Sequence, residues 1–119
     1  EKAFKWFSLS AQQDYPQAQV ELGDYYCQGY IVEQNYVKGI ELYKKAAVRS
    51  EPRALFRIAA AYVEGMNDYT EAAKWYRKSA KQGNWLACYR LGQFYREGKG
   101  VKQSDKEAAK WFRKANKLN

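Results

Sequence analysis

An all-α solenoid of helix–turn–helix repeats is the fold class that the sequence predicts. The first indication is a decapeptide that occurs twice in nearly the same form, as EAAKWYRKSA at residues 71–80 and EAAKWFRKAN at residues 107–116. The second is a large side chain that recurs after 36, 33 and 36 residues, at Trp6, Leu42, Trp75 and Trp111. A period of this length is typical of repeat architectures in which each unit is one supersecondary element.

The segment around each of these large residues predicts one helix, which we call helix B. A small residue lies three positions before the large one, another lies four positions after it, and an aromatic residue follows it directly. The small residues are Ala3, Gly39, Ala72 and Ala108, then Ser10, Ala46, Ser79 and Ala115, and the aromatic ones are Phe7, Tyr43, Tyr76 and Phe112. Positions i−3, i and i+4 share one face of an α-helix. We therefore expect helix B to bury this face, with its aromatic residues in the core.

A second repeated segment predicts another helix, helix A, at 18–29, 54–65 and 87–98. Each copy begins with alanine, has Leu or Ile four residues later and Tyr four residues after that, and closes on Gly29, Gly65 or Gly98. This spacing indicates an amphipathic helix that ends at a glycine. A small residue follows the aliphatic one in each copy, at Gly23, Ala59 and Gly92. A glycine inside a helix costs up to about 1 kcal/mol, so its recurrence predicts close helix contact.

The connectors define the predicted units. The first alanine of each helix A lies seven positions after the last alanine of the helix B before it. The loop after helix A is three residues shorter in the second copy. We expect an orphan helix B at 1–16 and three repeats at 17–52, 53–85 and 86–119. Because the chain lacks an initiator methionine, we expect it to be part of a longer array. The truncated ends of this chain would then lack capping repeats, which would allow self-association.

The third copy resembles the Sel-one-like repeat, a branch of the tetratricopeptide-like α-solenoids. The matching residues are Ala87, Leu91, Gly92, Tyr95, Gly98, Gly100, Val101, Asp105, Ala108, Trp111, Phe112, Lys114 and Ala115. The first copy departs from the pattern with GYIVEQN in its loop, and the second copy lacks that loop. The resemblance implies a right-handed superhelix with a concave surface, and the role of an adaptor or scaffold that holds another protein.

Helix A positions that vary among the copies are the predicted binding residues. They lie at i, i+3 and i+7 on one stripe, which by analogy with related solenoids faces the concave side. The three columns are Glu21, Arg57 and Arg90; Asp24, Ala60 and Gln93; and Gln28, Glu64 and Glu97. We expect this stripe to bind a peptide or protein domain, with Arg57 and Arg90 as anchors because guanidinium groups are favoured at interfaces. The alternative that the sequence leaves open is a solvated face without a ligand.

Basic side chains suggest an alternative function, electrostatic attachment to nucleic acid or an anionic membrane. The net charge is +8, with three basic and five acidic residues in 1–40 but nine basic and three acidic ones in 85–119. The candidate residues lie on two helix B faces: Lys74, Arg77, Lys78, Lys81, Lys110, Arg113, Lys114 and Lys117. We favour a solvated outer face, with aliphatic stems over apolar surface, because lysine at this position belongs to the resembled pattern. Nucleic acid is therefore not an expected partner.

The residue types present argue against catalysis. The chain has no histidine, and Gly98-Lys-Gly100 is too short for a phosphate-binding loop. We expect no enzyme activity, no cofactor and no metal site, and we expect Cys27 and Cys88 to be free thiols. No run of apolar residues is long enough to span a membrane. The aromatic residues outside the repeat pattern are the candidates for exposure: Tyr15, Tyr30, Tyr36 and Trp85.

Overall fold

The computed structural model describes residues 2–119, and within that range it contains seven α-helices and no strand. They are α1 (Lys2–Gln12), α2 (Pro16–Gln28), α3 (Tyr36–Val48), α4 (Ala54–Met66), α5 (Tyr69–Lys81), α6 (Trp85–Glu97) and α7 (Asp105–Leu118). Helix B corresponds to α1, α3, α5 and α7, and helix A to α2, α4 and α6. Each helix packs mainly against its neighbours in the chain, which gives an elongated body of 48 × 25 × 19 Å. The predicted all-α fold is confirmed.

Close contact between helix A and helix B occurs at the small residues, as the pattern predicts. A Cβ atom on Gly23 would lie 2.6 Å from the Tyr43 ring, and one on Gly92 would lie 2.5 Å from the Phe112 ring. In the middle repeat the buried Ala59 packs in the same core as the buried Tyr76. The small residue of helix A therefore makes room for the helix B aromatic that follows the tryptophan position.

The helix ends agree with the sequence prediction at two of three glycines. Gly29 and Gly98 follow α2 and α6 in the left-handed conformation, with φ of +68° and +69°. The prediction is wrong at Gly65, because α4 continues to Met66 and Asn67 adopts the left-handed conformation with φ +52°. Gly65 serves a different purpose, since a Cβ there would lie 2.1 Å from Cγ of Tyr36. All three helix A elements have 13 residues, and α4 both begins and ends two positions later in the repeat than α2 and α6.

The aromatic positions are less uniformly buried than the pattern predicts. Tyr43 and Tyr76 are buried and Trp75 is half-buried, but Trp6 is 61% exposed. Within the described residues α1 packs mainly on α2, so much of its outer face is uncovered. Of the four aromatic residues outside the pattern, only Tyr36 is not exposed. It covers Gly65.

The divergent loop of the first repeat keeps the backbone of the third. Ile31 occupies the position of Gly100, and the two have φ of +71° and +70°. The left-handed conformation costs a residue with a Cβ atom about 1–2 kcal/mol, and most for a β-branched one. Ile31 therefore carries backbone strain that its glycine counterpart avoids.

The first prediction is that Ile31→Gly stabilises the protein. Ile31 is 49% exposed, so the substitution relieves strain while removing little buried surface. Glycine also makes the unfolded chain more flexible, which offsets part of this gain. We therefore expect the free energy of unfolding to rise by about 0.5–1 kcal/mol. Urea unfolding followed by circular dichroism measures it. Gly100→Ala is the matched opposite, because its Cβ would lie 2.3 Å from the Tyr69 carbonyl oxygen. A lower unfolding free energy for Ile31→Gly would contradict the strain.

The second prediction is that Gly65→Ala destabilises the protein, although alanine is the better helix former. The added Cβ meets the Tyr36 ring, and overpacking of this kind costs about 1–3 kcal/mol. In a Tyr36→Ala background the clash is absent, and the same change should instead stabilise α4 by up to about 1 kcal/mol. Thermal unfolding of the four proteins checks the reversal of sign. Stabilisation by Gly65→Ala in the otherwise unchanged protein would show that the packing of the Tyr36 ring does not require glycine at position 65.

Candidate functional site

Three adjacent cavities that share wall residues lie along the helix A elements, and we call them together the helix A groove. The first cavity, about 430 Å³, lies between α2, α3 and α4, and the second, about 310 Å³, lies between α4, α5 and α6. An end cavity of about 190 Å³ lies beside α2. The end and first cavities share Asp24 and Gln28, and the first and second share Ala60 and Glu64.

All nine predicted helix A residues line this groove. Glu21 lines the end cavity, Arg57 lines the first, and the second is lined by Arg90, Gln93 and Glu97. The remaining four are the shared residues. The structure therefore brings the variable positions of three repeats together on one continuous surface.

Arg57 is paired within the protein. Its Nε and Nη2 atoms lie 2.9 and 3.3 Å from the Asp24 carboxylate, which also accepts a hydrogen bond from the Tyr43 hydroxyl. Burial, and then the bond to Asp24, hold the pKa of Tyr43 well above its ordinary value. The hydrogen bonds that Arg57 donates to Asp24 are the main reason that the pKa of Arg57 is raised. One of the two predicted anchors thus already has an acidic partner.

A second ion-pair network joins the end cavity to the turn before α4. Arg53 Nη1 lies 2.9 Å from Glu21, and its Nη2 lies 2.9 Å from the buried Glu51. The hydrogen bonds from Arg53 lower the pKa of Glu51. Sequence reasoning missed Arg53, because the equivalent positions are Gln17 and Leu86 and the repeat pattern gives no signal there.

Arg90, the other predicted anchor, has no such partner. It donates a hydrogen bond to Gln93 Oε1 at 3.2 Å, and among residues 2–119 no carboxylate oxygen lies within 4.0 Å of its guanidinium nitrogens. The nearby Glu97 is instead 3.4 Å from Lys99. Arg90 is therefore a charged donor that faces the second cavity with most of its N–H groups free.

Aromatic residues form much of the second cavity wall. Tyr76 contacts Phe56 and Phe94 edge-on, with ring centroids 5.2 and 5.6 Å apart. Burial raises the pKa of Tyr76 to about 12, and Arg90 acts in the opposite direction. The sequence pattern assigned Tyr43 and Tyr76 to packing alone, and missed that both also line cavities. Their hydroxyl groups are the feature that a helix B phenylalanine lacks, as at Phe112.

The predicted basic faces lie on α5 and α7, and half of their residues are engaged with the protein itself. Lys78 lies 4.3 Å from the Trp75 ring centroid, and Lys114 lies 5.3 Å from that of Trp111. Arg77 donates to the Tyr95 hydroxyl at 2.8 Å, and Lys74 pairs with Glu71 at 3.4 Å. The remaining four are exposed: Lys81, Lys110, Arg113 and Lys117. Much of this charge therefore covers tryptophan rings or joins adjacent repeats.

The described residues hold no cluster of histidine, cysteine and carboxylate side chains that would bind a metal ion. Cys27 and Cys88 are free and buried, as predicted, and burial raises the pKa of both thiols. In the described part of the chain no helix has both the length and the apolar character needed to cross a membrane. The chemistry that the groove offers is hydrogen bonding, ion pairing and apolar contact.

Known proteins resemble this chain in sequence and in structure. A sel1-like repeat-containing protein of Acanthamoeba polyphaga mimivirus is 37% identical over 101 residues, which cover 84% of this chain and 18% of that protein. The structure of c5321, a protective antigen of uropathogenic Escherichia coli with an SLR fold, superposes with a TM-score of 0.85 at 32% identity, over 96% of this chain and 25% of that one.

Two further solved structures show the same fold. A Sel1 repeat protein from Oxalobacter formigenes gives a TM-score of 0.85 at 30% identity, over 99% of this chain and 49% of that one. The cysteine-rich protein B of Helicobacter pylori gives 0.69 at 27% identity, over 98% of this chain and 90% of that one. These similarities confirm the predicted repeat solenoid. This chain spans less than half the length of the other three proteins.

The Sel1 repeat pattern matches residues 1–15, 16–47, 52–84 and 85–119. Proteins built from these repeats generally mediate protein–protein interactions. Because the matches extend over nearly the whole sequence, this chain belongs to the Sel1 repeat family.

Proposed function

We propose that this chain is an interaction module whose helix A groove holds a segment of a partner polypeptide. The observation that carries the proposal is the continuity of the three cavities, which share Asp24 and Gln28 at one junction and Ala60 and Glu64 at the next. Repeat arrays commonly offer such extended surfaces for binding. A groove with about one cavity per repeat suits successive side chains of one extended segment.

The composition of the groove supports a polypeptide partner. The second cavity combines the rings of Phe56, Tyr76 and Phe94 with the guanidinium of Arg90. Aromatic residues and arginine are the types most enriched at protein interfaces and among the residues that carry most of the binding energy. The alternative attachment through the basic faces has less support, because Lys78 and Lys114 lie over Trp75 and Trp111.

The third prediction is that filling the groove abolishes peptide binding. Ala60 lines both large cavities, so Ala60→Tyr should obstruct them together. Peptides selected from a random library on the wild-type protein should bind Ala60→Tyr at least about tenfold more weakly, because the central contact region is lost. Fluorescence anisotropy with labelled peptides measures the affinities, and circular dichroism verifies the fold.

The matched control is the double variant Lys78→Glu and Lys114→Glu on the basic faces. It should bind the selected peptides within about twofold of wild type, because both lysines lie outside the groove. The opposite pattern would overturn the proposal, with full binding by Ala60→Tyr and loss in the lysine variant. Salt-sensitive retention of wild type on heparin, lost in the lysine variant, would then favour electrostatic attachment.

The fourth prediction is that the two groove arginines differ in their effect on stability. Arg57→Gln leaves Asp24 without its cation, and we expect the free energy of unfolding to fall by about 1 kcal/mol, since both side chains are partly exposed. Arg90→Gln removes no ion pair of the described residues and should change stability by less than about 0.5 kcal/mol. Urea unfolding of both variants decides it. Equal losses would show that Arg90 also has a structural role.

A further inference from the structure

The first and second cavities are built from equivalent positions of successive repeats. The α2 residues of the first cavity correspond to α4 residues of the second cavity, 36 positions later. The α3 and α4 residues of the first cavity correspond to α5 and α6 residues of the second, 33 positions later. Four positions have the same residue in the two cavities: Tyr36 and Tyr69, Tyr43 and Tyr76, Arg57 and Arg90, and Glu64 and Glu97. Each cavity is therefore an internal reference for the other.

One difference removes a carboxylate from the second cavity. Asp24 in the first cavity corresponds to Ala60 in the second. The Asp24 carboxylate accepts hydrogen bonds from Arg57 Nε at 2.9 Å and from the Tyr43 hydroxyl. The first cavity thus shows which group satisfies an arginine and a tyrosine at these two positions.

The equivalent donors in the second cavity lack that group. Arg90 and Tyr76 interact with each other, and Arg90 gives one hydrogen bond to Gln93 at 3.2 Å. A guanidinium has five N–H groups, so most remain available. Within residues 2–119, none of the ion pairs involves Arg90. Where the first cavity has the Asp24 carboxylate, the second cavity has the methyl group of Ala60 and open space.

We propose that the second cavity binds a carboxylate group of the partner, held by the Arg90 guanidinium and the Tyr76 hydroxyl as Arg57 and Tyr43 hold Asp24. The group is the side chain of an acidic residue or the carboxyl terminus of a chain, which share this chemistry. The proposal rests on the function proposed above and adds the chemical class that the groove recognises. Charge-assisted hydrogen bonds between arginine and carboxylate are among the strongest that proteins form.

The other residues of the second cavity limit what accompanies the carboxylate. Glu97 is paired with Lys99 at 3.4 Å, but Glu64 has no ion-pair partner in the described part of the chain and repels a second anion. The partner's carboxylate must therefore contact Arg90 directly for the attraction by Arg90 to exceed the repulsion by Glu64. Phe56 and Phe94 form the adjacent wall, so we expect an apolar residue next to the acidic group.

A double-mutant cycle tests the arrangement without any ligand. Ala60→Asp places a carboxylate where the first cavity has one. Aspartate is a poorer helix former than alanine and lies four residues from Glu64, so its coupling to Arg90 is the informative quantity. We expect the change in Tm caused by Ala60→Asp to be at least about 3 °C more favourable with Arg90 present than in an Arg90→Gln background. Ala60→Asn, of equal size and neutral, should show a smaller coupling.

Three short peptides test recognition itself. One is an acetylated peptide amide with Leu-Asp at its centre, the second has Leu-Asn instead, and the third is acetylated and ends in Leu with a free carboxylate. Nitrogen-15 NMR of the Arg90 side chain and the groove backbone measures their affinities. We expect an acidic peptide to bind at least about tenfold more tightly than the asparagine peptide, since only it forms the charged pair. Whichever of the two acidic probes binds identifies the source of the carboxylate.

The outcomes separate this proposal from the broader function. Ala60→Asp should remove the preference for the acidic peptide, because the site is then occupied from within. Absence of coupling to Arg90, affinities of both acidic peptides no higher than that of the asparagine peptide, or failure of all three peptides to shift groove signals would overturn the carboxylate site. Continued binding of library-selected peptides in the groove would then leave the polypeptide-binding function intact. Loss of that binding would count against the function itself.

Discussion

The close approach of helix A and helix B within each repeat is the contact on which the rest of the structure depends. Gly23 and Gly92 have no side chain, so the rings of Tyr43 and Phe112 lie where a Cβ would be. A helix pair of this size buries too little surface to be stable alone, and it is the stacking of successive pairs that completes the core. A larger residue at the small position would separate the helices and, with them, the walls of the groove.

This contact also explains why the groove has polar donors at its base. The ring that follows the tryptophan position lies over a glycine or alanine of helix A, and where this ring belongs to a tyrosine, the residue also lines a cavity between repeats. The next helix A then supplies an arginine beside it, as at Tyr43 with Arg57 and Tyr76 with Arg90. The same tyrosine is thus part of both the core and the groove wall.

The sequence predicts what is periodic and misses what depends on a single pair of residues. Helix order and the groove stripe follow from columns repeated three times, so each copy supports the others. The pairing of Arg57 with Asp24 joins two variable positions 33 residues apart, and no column reveals it. Gly65 was misassigned for a related reason, because its role depends on Tyr36, which lies outside the repeat pattern. Trp6 is exposed, whereas Trp75 and Trp111 are half-buried, because α5 and α7 pack on the helix A that precedes them and the described residues contain no such helix before α1.

Variation within the columns also allows one scaffold to offer different chemistry from repeat to repeat. The exchange of Asp24 for Ala60 changes no helix boundary and leaves the tyrosine and arginine beside it in place. An internal ion pair contributes to stability in one repeat, while in the next the same donors remain available to another molecule. Two basic residues of α5 and α7 instead keep the same contact in both repeats, since Lys78 and Lys114 occupy equivalent places over Trp75 and Trp111. Lys78 and Lys114 thus keep one contact in both repeats, whereas Asp24 and Ala60 give two equivalent cavities different chemistry.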